Sequence, residues 1–398
     1  MQKPVNIIVA GDLLPSEENF QRFEQGEVLS LFGEKICQLF AEADFSILNL
    51  EGPLTDATMA LEKDGPGIKA PKSTISGLKK LGIHAVALAN NHITDYRQQG
   101  FLDTVETLKD AGIQYVGAGV DIDHIKKFLS IRVGNKKICI YNVSETFFNQ
   151  PGKNHAGANL YDEYVVCNDI KALKQEHDYL IVLYHGGAEH FPYPTPQTRQ
   201  RFHRMADCGA DFITAQHTHC IGCEEYYKGA YLLYGQGNFL FARQKQKQYL
   251  SMTKEGLVTQ LTIDENGVKV QNHLIQIDDA VLRYAPKQDL SGFIERGKRI
   301  NDESFILSLF KEAKSNEILE KCLLSLKGDF PLRRFIVRLF PNAFSFKGLV
   351  RSYTQKQCKR NLYMFQGDRR HEDMEYVWQY ILDQLEDKNE IQSSHHRA

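Results

Sequence analysis

Short apolar runs alternate with amphipathic segments over the first two thirds of the chain. Residues 5–10, 45–50, 84–89, 179–184 and 211–215 are continuous apolar runs closed by Gly, Asn, Glu or His, the pattern of buried strands. Between them, residues 29–43, 74–81, 98–111, 167–175 and 195–208 repeat their apolar positions at helical spacing. Strands alternating with helices predict a mainly parallel sheet covered on both faces. Residues 128–133, 137–143, 230–234, 257–263 and 268–277 read instead as hairpin strands. Gly134-Asn135 and Asn266-Gly267 supply two of the turns. Past residue 285 the pattern is helical only: residues 293–327 and 335–386 carry no strand, and Pro331 and Pro341 break the helices. The expected organisation is a mixed α/β domain over 1–284 and a helical region over 285–398.

Composition changes this picture little. A hydrophobic content of 42% suits an ordinary core, and a net charge of -2 names no dominant electrostatic partner, so nucleic acid is not expected. The exception is local. Between Lys327 and Arg370 there are 11 Lys or Arg against 2 Asp, either a solvated helix face or a surface for an anionic membrane or polymer. The chain runs directly into its first strand, with no signal peptide or membrane-spanning helix in view, so a cytoplasmic or membrane-peripheral protein is expected. Its 8 cysteines form no dense framework, and the CxxC of Cys220 and Cys223 reads as core thiols ahead of a metal or redox pair.

The chemistry-bearing residues gather where the predicted strands end. Asp12 follows the first, Asn49 and Glu51 close the second, Asn91 and His92 follow the third, His185 the fourth, and His217 and His219 the fifth. In an open α/β sheet such ends line one crevice, so loops distant in sequence converge there. His217 and His219 stand one residue apart, a spacing that puts both imidazoles on one side of an extended segment, and neutral imidazoles suit zinc, iron or manganese. Singly, Asp12 reads as a turn residue, Asn91 as a cap and His185 as a core histidine. Together they read as a metal site.

The order Gly11-Asp12, Asn49-Leu50-Glu51, Asn91-His92, His185 to Glu189, His217-Thr218-His219 and Gly237-Asn238-Phe239 resembles the CapA family of poly-γ-glutamate capsule biosynthesis proteins, within the calcineurin-like metallophosphoesterase superfamily. The resemblance covers about residues 5–245 and implies a four-layer α-β-β-α metallophosphoesterase-like sandwich, here with a helical C-terminal extension. It further implies one or two divalent ions (Mn, Fe or Zn). Their ligands would be Asp12, Glu51 as the bridging carboxylate, Asn91, His185, His217 and His219. His92 would protonate the leaving group, with Asp95 either orienting it or capping the following helix. Glu189, His190 and Asn238 are further donors open to the site.

One position departs from the phosphatase pattern. Where those enzymes carry Asp-x-His, this chain has Asp12-Leu13-Leu14, so one ion lacks an imidazole. The expected function is therefore a metal-dependent hydrolase of phosphoester or γ-glutamyl amide bonds in capsule biosynthesis, with a small-molecule or polymer substrate. The alternative is a non-catalytic subunit of a polymer synthesis or export assembly. Capsule biosynthesis proteins are the expected partners, and the basic stretch 327–370 the expected docking surface.

Overall fold

The computed structural model describes residues 4–61, 63, 67–145, 149–241, 251–265, 267–278 and 280–315. By compactness the chain divides into Met1–Asn301 and Asp302–Ala398. The second unit contributes the helix Glu303–Ser315 to the described residues. The basic stretch 327–370, Pro331, Pro341 and most of the expected helical region lie outside them.

The first unit is built on two sheets. In the first, the strand Val5–Leu14 runs parallel to Phe45–Leu50, followed outward by Ala85–Ala87 and Gln114–Val116. On its other side the strands Glu255–Asp264, Gly267–Asp278 and Val281–Tyr284 add on antiparallel. The second sheet has the order Glu224–Tyr227, Ala230–Leu233, Phe212–Gln216, Tyr179–His185, Lys136–Ser144, Phe128–Val133, with its four central strands parallel.

The strands are apolar on both faces because both are covered. Val5, Ile7, Val9, Phe45 and Ile47 point into the layer between the sheets, where Ile138, Ile140, Ile181, Leu183, Phe212 and Leu233 meet them. Ile8, Ala10, Leu48 and Leu50 point the other way, onto Phe32, Ile36, Phe40, Leu78 and Phe101 of the helices. The outer face of the second sheet is covered in turn by the helices Glu163–Glu176 and Pro196–Asp207, with Phe202 edge-on to Tyr184 and stacked on Tyr234. This is the expected α-β-β-α layering. Each fully buried aliphatic or aromatic side chain contributes about 1.5–3 kcal/mol.

Local chemistry sets the helix ends. The Thr195 hydroxyl accepts from Thr198 N at 3.2 Å and Pro196 opens the helix, while Asp162 accepts from Tyr164 N and Val165 N at 3.0 and 3.1 Å. The expected helix over 29–43 forms as Val28–Ala41, broken at Gly33, whose φ of 72° interrupts the helical backbone. The hairpin turn at Gly134-Asn135 forms between paired Val133 and Lys136.

Two strand boundaries differ from expectation, and both matter to the site. The first strand does not stop at Ala10 but runs to Leu14, because Asn238–Phe241 pairs with its end. Pairing is irregular between Ala10 and Asp12, so Asp12 sits within the strand rather than in the turn after it. The third shortens to Ala85–Ala87, leaving residues 88–96 as the loop that carries Asn91 and His92.

Candidate metal centre

The two sheets meet at the carboxyl ends of their parallel strands. Gln216 Nε2 donates to Ala10 O at 3.1 Å, His217 N to Asp12 Oδ2 at 2.9 Å, and Ala89 N to Asn142 Oδ1 at 2.8 Å. Five polar clusters from five strand ends are thereby drawn to one edge.

Two groups of donors form there and share one carboxylate. Glu51, His185 and His217 make the first and Asp12, Glu51 and His219 the second, with the donor atoms of each group within 4.8 Å of one another. Glu51 Oε1 lies 3.6 Å from His185 Nε2 and 3.7 Å from His219 Nε2, and His219 Nδ1 lies 3.5 Å from Asp12 Oδ2. Asp12, Glu51 and His185 are fully buried, and carboxylates are seldom buried without cationic compensation. The hard carboxylates and neutral imidazoles fit a divalent cation.

The electrostatics point the same way. Burial, reinforced by the neighbouring imidazoles of His217, His219 and His92, holds the His185 imidazole well below its usual range. Burial also lowers His217, with Glu189 opposing. Both rings are therefore neutral near pH 7, as ligands must be. The backbone is held to suit: His217, His219 and His190 adopt φ of 92°, 51° and 59°, a region non-glycine residues rarely occupy. Such conformations persist only where surrounding structure imposes them, and they cluster at functional sites.

Outer partners orient the donors. Asn49 Nδ2 donates to Asp12 Oδ1 at 2.8 Å and lies 3.3 Å from His185 Nδ1, touching one donor of each group. Asn90 Nδ2 bonds Asn49 Oδ1 and Leu50 O, and Asn238 Oδ1 meets His219 Nδ1 at 2.8 Å. Asn238 thus sits against a donor of the second group. The close approach of its strand requires Gly11, since a Cβ there would collide with Gly237 O.

The remaining expected residues fall around this core. Asn91 Oδ1 is 3.0 Å from His185 Nε2. His92 is bonded through Nδ1 to Asp95 Oδ2 at 2.7 Å. Asp95 orients His92 and does not cap the helix Arg97–Ala111, which begins after Tyr96 with no side-chain cap. Glu189 Oε1 lies 3.5 Å from His217 Nε2 at a half-exposed position, with the His190 ring 6.0 Å from that of His219. Leu14, set by the resemblance where phosphatases carry an imidazole, is a core residue with its Cδ1 against Gly52. Cys220 and Cys223 are buried and belong to neither donor group.

Sequence reasoning missed Lys63. Its ammonium pairs with the Asp95 carboxylate and lies 3.2 Å from His92 Nδ1. The surrounding loop has no readable motif, and a lysine between Glu62 and Asp64 reads as surface charge.

A family model described as bacterial capsule synthesis protein matches residues 6–243. The capsule biosynthesis protein CapA of Bacillus anthracis is 28% identical over 211 residues, 51% of this chain and 50% of that protein. The chain thus spans about half the length of that relative. The PGA biosynthesis protein CapA of Bacillus subtilis is 28% identical over 262 residues, 65% of this chain and 67% of that protein. A solved structure described as a novel phosphatase of Mycoplasma pneumoniae is 17% identical with a TM-score of 0.45, covering 74% of this chain and 100% of that one.

Proposed function

Because this chain belongs to the bacterial capsule synthesis protein family, we propose that it is a metal-dependent hydrolase of phosphoester or γ-glutamyl amide bonds in poly-γ-glutamate capsule biosynthesis. One observation carries the reading: the buried Glu51 carboxylate is common to two donor groups, the arrangement a pair of divalent ions requires. Glu51, His185 and His217, with Asn91 beside them, would hold one ion. Asp12, Glu51 and His219 would hold the other. A bound divalent cation supplies Lewis-acid polarisation of substrate oxygens and acidifies water at neutral pH.

The chain's own groups do the rest. Burial of Asp12, Glu51 and His185 excludes bulk water and strengthens every charge interaction at the strand ends. His92 is anchored at Nδ1 by the Asp95 carboxylate, and as an imidazolium it would pass its Nε2 proton to the leaving group. Asn49 fixes Asp12 and His185 relative to each other, which keeps the two donor groups in one geometry.

The test is metal analysis of protein reconstituted with Mn(II), with parallel assays on bis(p-nitrophenyl) phosphate and γ-glutamyl-p-nitroanilide and Glu51→Ala as control. Bound metal and turnover of either substrate, both lost in Glu51→Ala, support the hydrolase. Metal uptake without turnover on phosphodiester or γ-glutamyl substrates transfers the reading to a non-catalytic subunit of a polymer assembly.

A further inference from the structure

Lys63 carries a charge where charge is costly. Its side chain is 3% exposed and its partner Asp95 is 1% exposed. Long cationic side chains ordinarily keep the head group in water, and burial of one calls for compensation in place. Here the compensation is the acid that anchors His92. Asp95 Oδ1 takes the Lys63 ammonium, while Oδ2 takes His92 Nδ1 at 2.7 Å and Ile68 N at 2.8 Å. The backbone of the same stretch adds Leu61 N to Asp95 O at 2.7 Å.

Both oxygens of Asp95 are therefore committed, and each commitment constrains the other. An ammonium has three donors and no acceptor, so it takes no proton from His92 Nδ1 at 3.2 Å, and Asp95 Oδ2 at 2.7 Å is the acceptor on hand for a proton carried there. Without the ammonium, Oδ1 would be a buried anionic oxygen short of its cation, and the carboxylate would rotate or recruit water to satisfy it. Either response releases the ring. We propose that Lys63 is a positioning residue for the hydrolytic reaction: by clamping Asp95 it holds the His92 imidazole in the one orientation that presents Nε2 to the leaving group. This rests on the hydrolase reading above.

The experiment compares Lys63→Met, which keeps length and loses charge, with Lys63→Arg, in full-length protein loaded with Mn(II). The substrate is whichever of bis(p-nitrophenyl) phosphate and γ-glutamyl-p-nitroanilide the parent protein turns over. The expected result is a kcat lowered by about 10- to 100-fold in Lys63→Met, the scale of a misplaced catalytic group. KM and bound manganese should stay at parental values, and Lys63→Arg should recover most of the rate. Unchanged kcat in Lys63→Met, or a loss carried by manganese content or KM, overturns the proposal. A crystal structure of the Lys63→Met protein separates this failure from failure of the hydrolase reading. If the parent turns over neither substrate, a displaced His92 ring still supports the clamp, and a ring unmoved from Asp95 rejects it.

Discussion

The two donor groups that share Glu51 are chemically unequal. Glu51, His185 and His217 are all buried, with Asn91 Oδ1 adjacent and both imidazoles held neutral by burial. Asp12, Glu51 and His219 include one ring that is partly exposed, and the neighbouring position offers Leu14, turned into the core. A leucine supplies no lone pair, so the second group has one imidazole where the first has two. The difference teaches that a preserved scaffold does not guarantee two equivalent ions. Each group offers donors that could hold a cation, and its own donor set would fix the affinity there.

The largest effect should come from removing what the groups share. Glu51→Ala is expected to eliminate both ions and to lower metal affinity by more than about 100-fold, beyond the cost of losing an outer partner. Elemental analysis after dialysis reads this directly, and retention of one full equivalent would show that the groups do not depend on a common carboxylate. Next, His217→Asn should strip the richer group alone, with calorimetric titration of Mn(II) losing its tighter step. Were the weaker step lost instead, the ranking of the two groups would be reversed.

Asn49→Ala acts on both sides at once through Asp12 and His185 and should weaken the two steps by comparable factors of about 10–100. A change confined to one step would break the symmetry assigned to that amide. Leu14→His sharpens the comparison from the other direction. The added imidazole should tighten the Asp12 side, while a polar ring placed against Gly52 in the core costs about 1–3 kcal/mol of stability, seen as a lower Tm.

The smallest effect is on pH. His185 and His217 bind protons more weakly folded than unfolded, so below the ordinary imidazole value, about 6.5, the unfolded chain takes up protons that the folded chain does not. Stability of the metal-free protein should therefore be full above that value and fall as pH drops toward the lowered folded values. Denaturant titrations at pH 7.5 and 5.5 measure the slope, which should diminish in His185→Gln.

Much of this arrangement was legible in the chain. Covered on both faces, the strands at 45–50 and 179–184 had to be continuous apolar runs, and the hairpin at Gly134-Asn135 announced itself through its turn residues. Short strands such as Gln114–Val116 and Asn238–Phe241 were not legible, because three or four residues carry too little periodicity and owe their conformation to the partner strand. Asp95 was ambiguous for a related reason: an acid just before a helix reads equally as a cap, and only the position of His92 decided between the two.

By itself the sequence determined the layered α/β order and the set of residues able to bind a cation, since these follow from local periodicity and side-chain type. Tertiary structure decided which of those residues share an ion site, that Glu51 belongs to both groups, that Leu14 turns into the core, and that Lys63 is clamped on Asp95. Those outcomes depend on residues far apart in the chain being brought within a few ångströms, and on burial that turns a weak surface attraction into a strong, directional one.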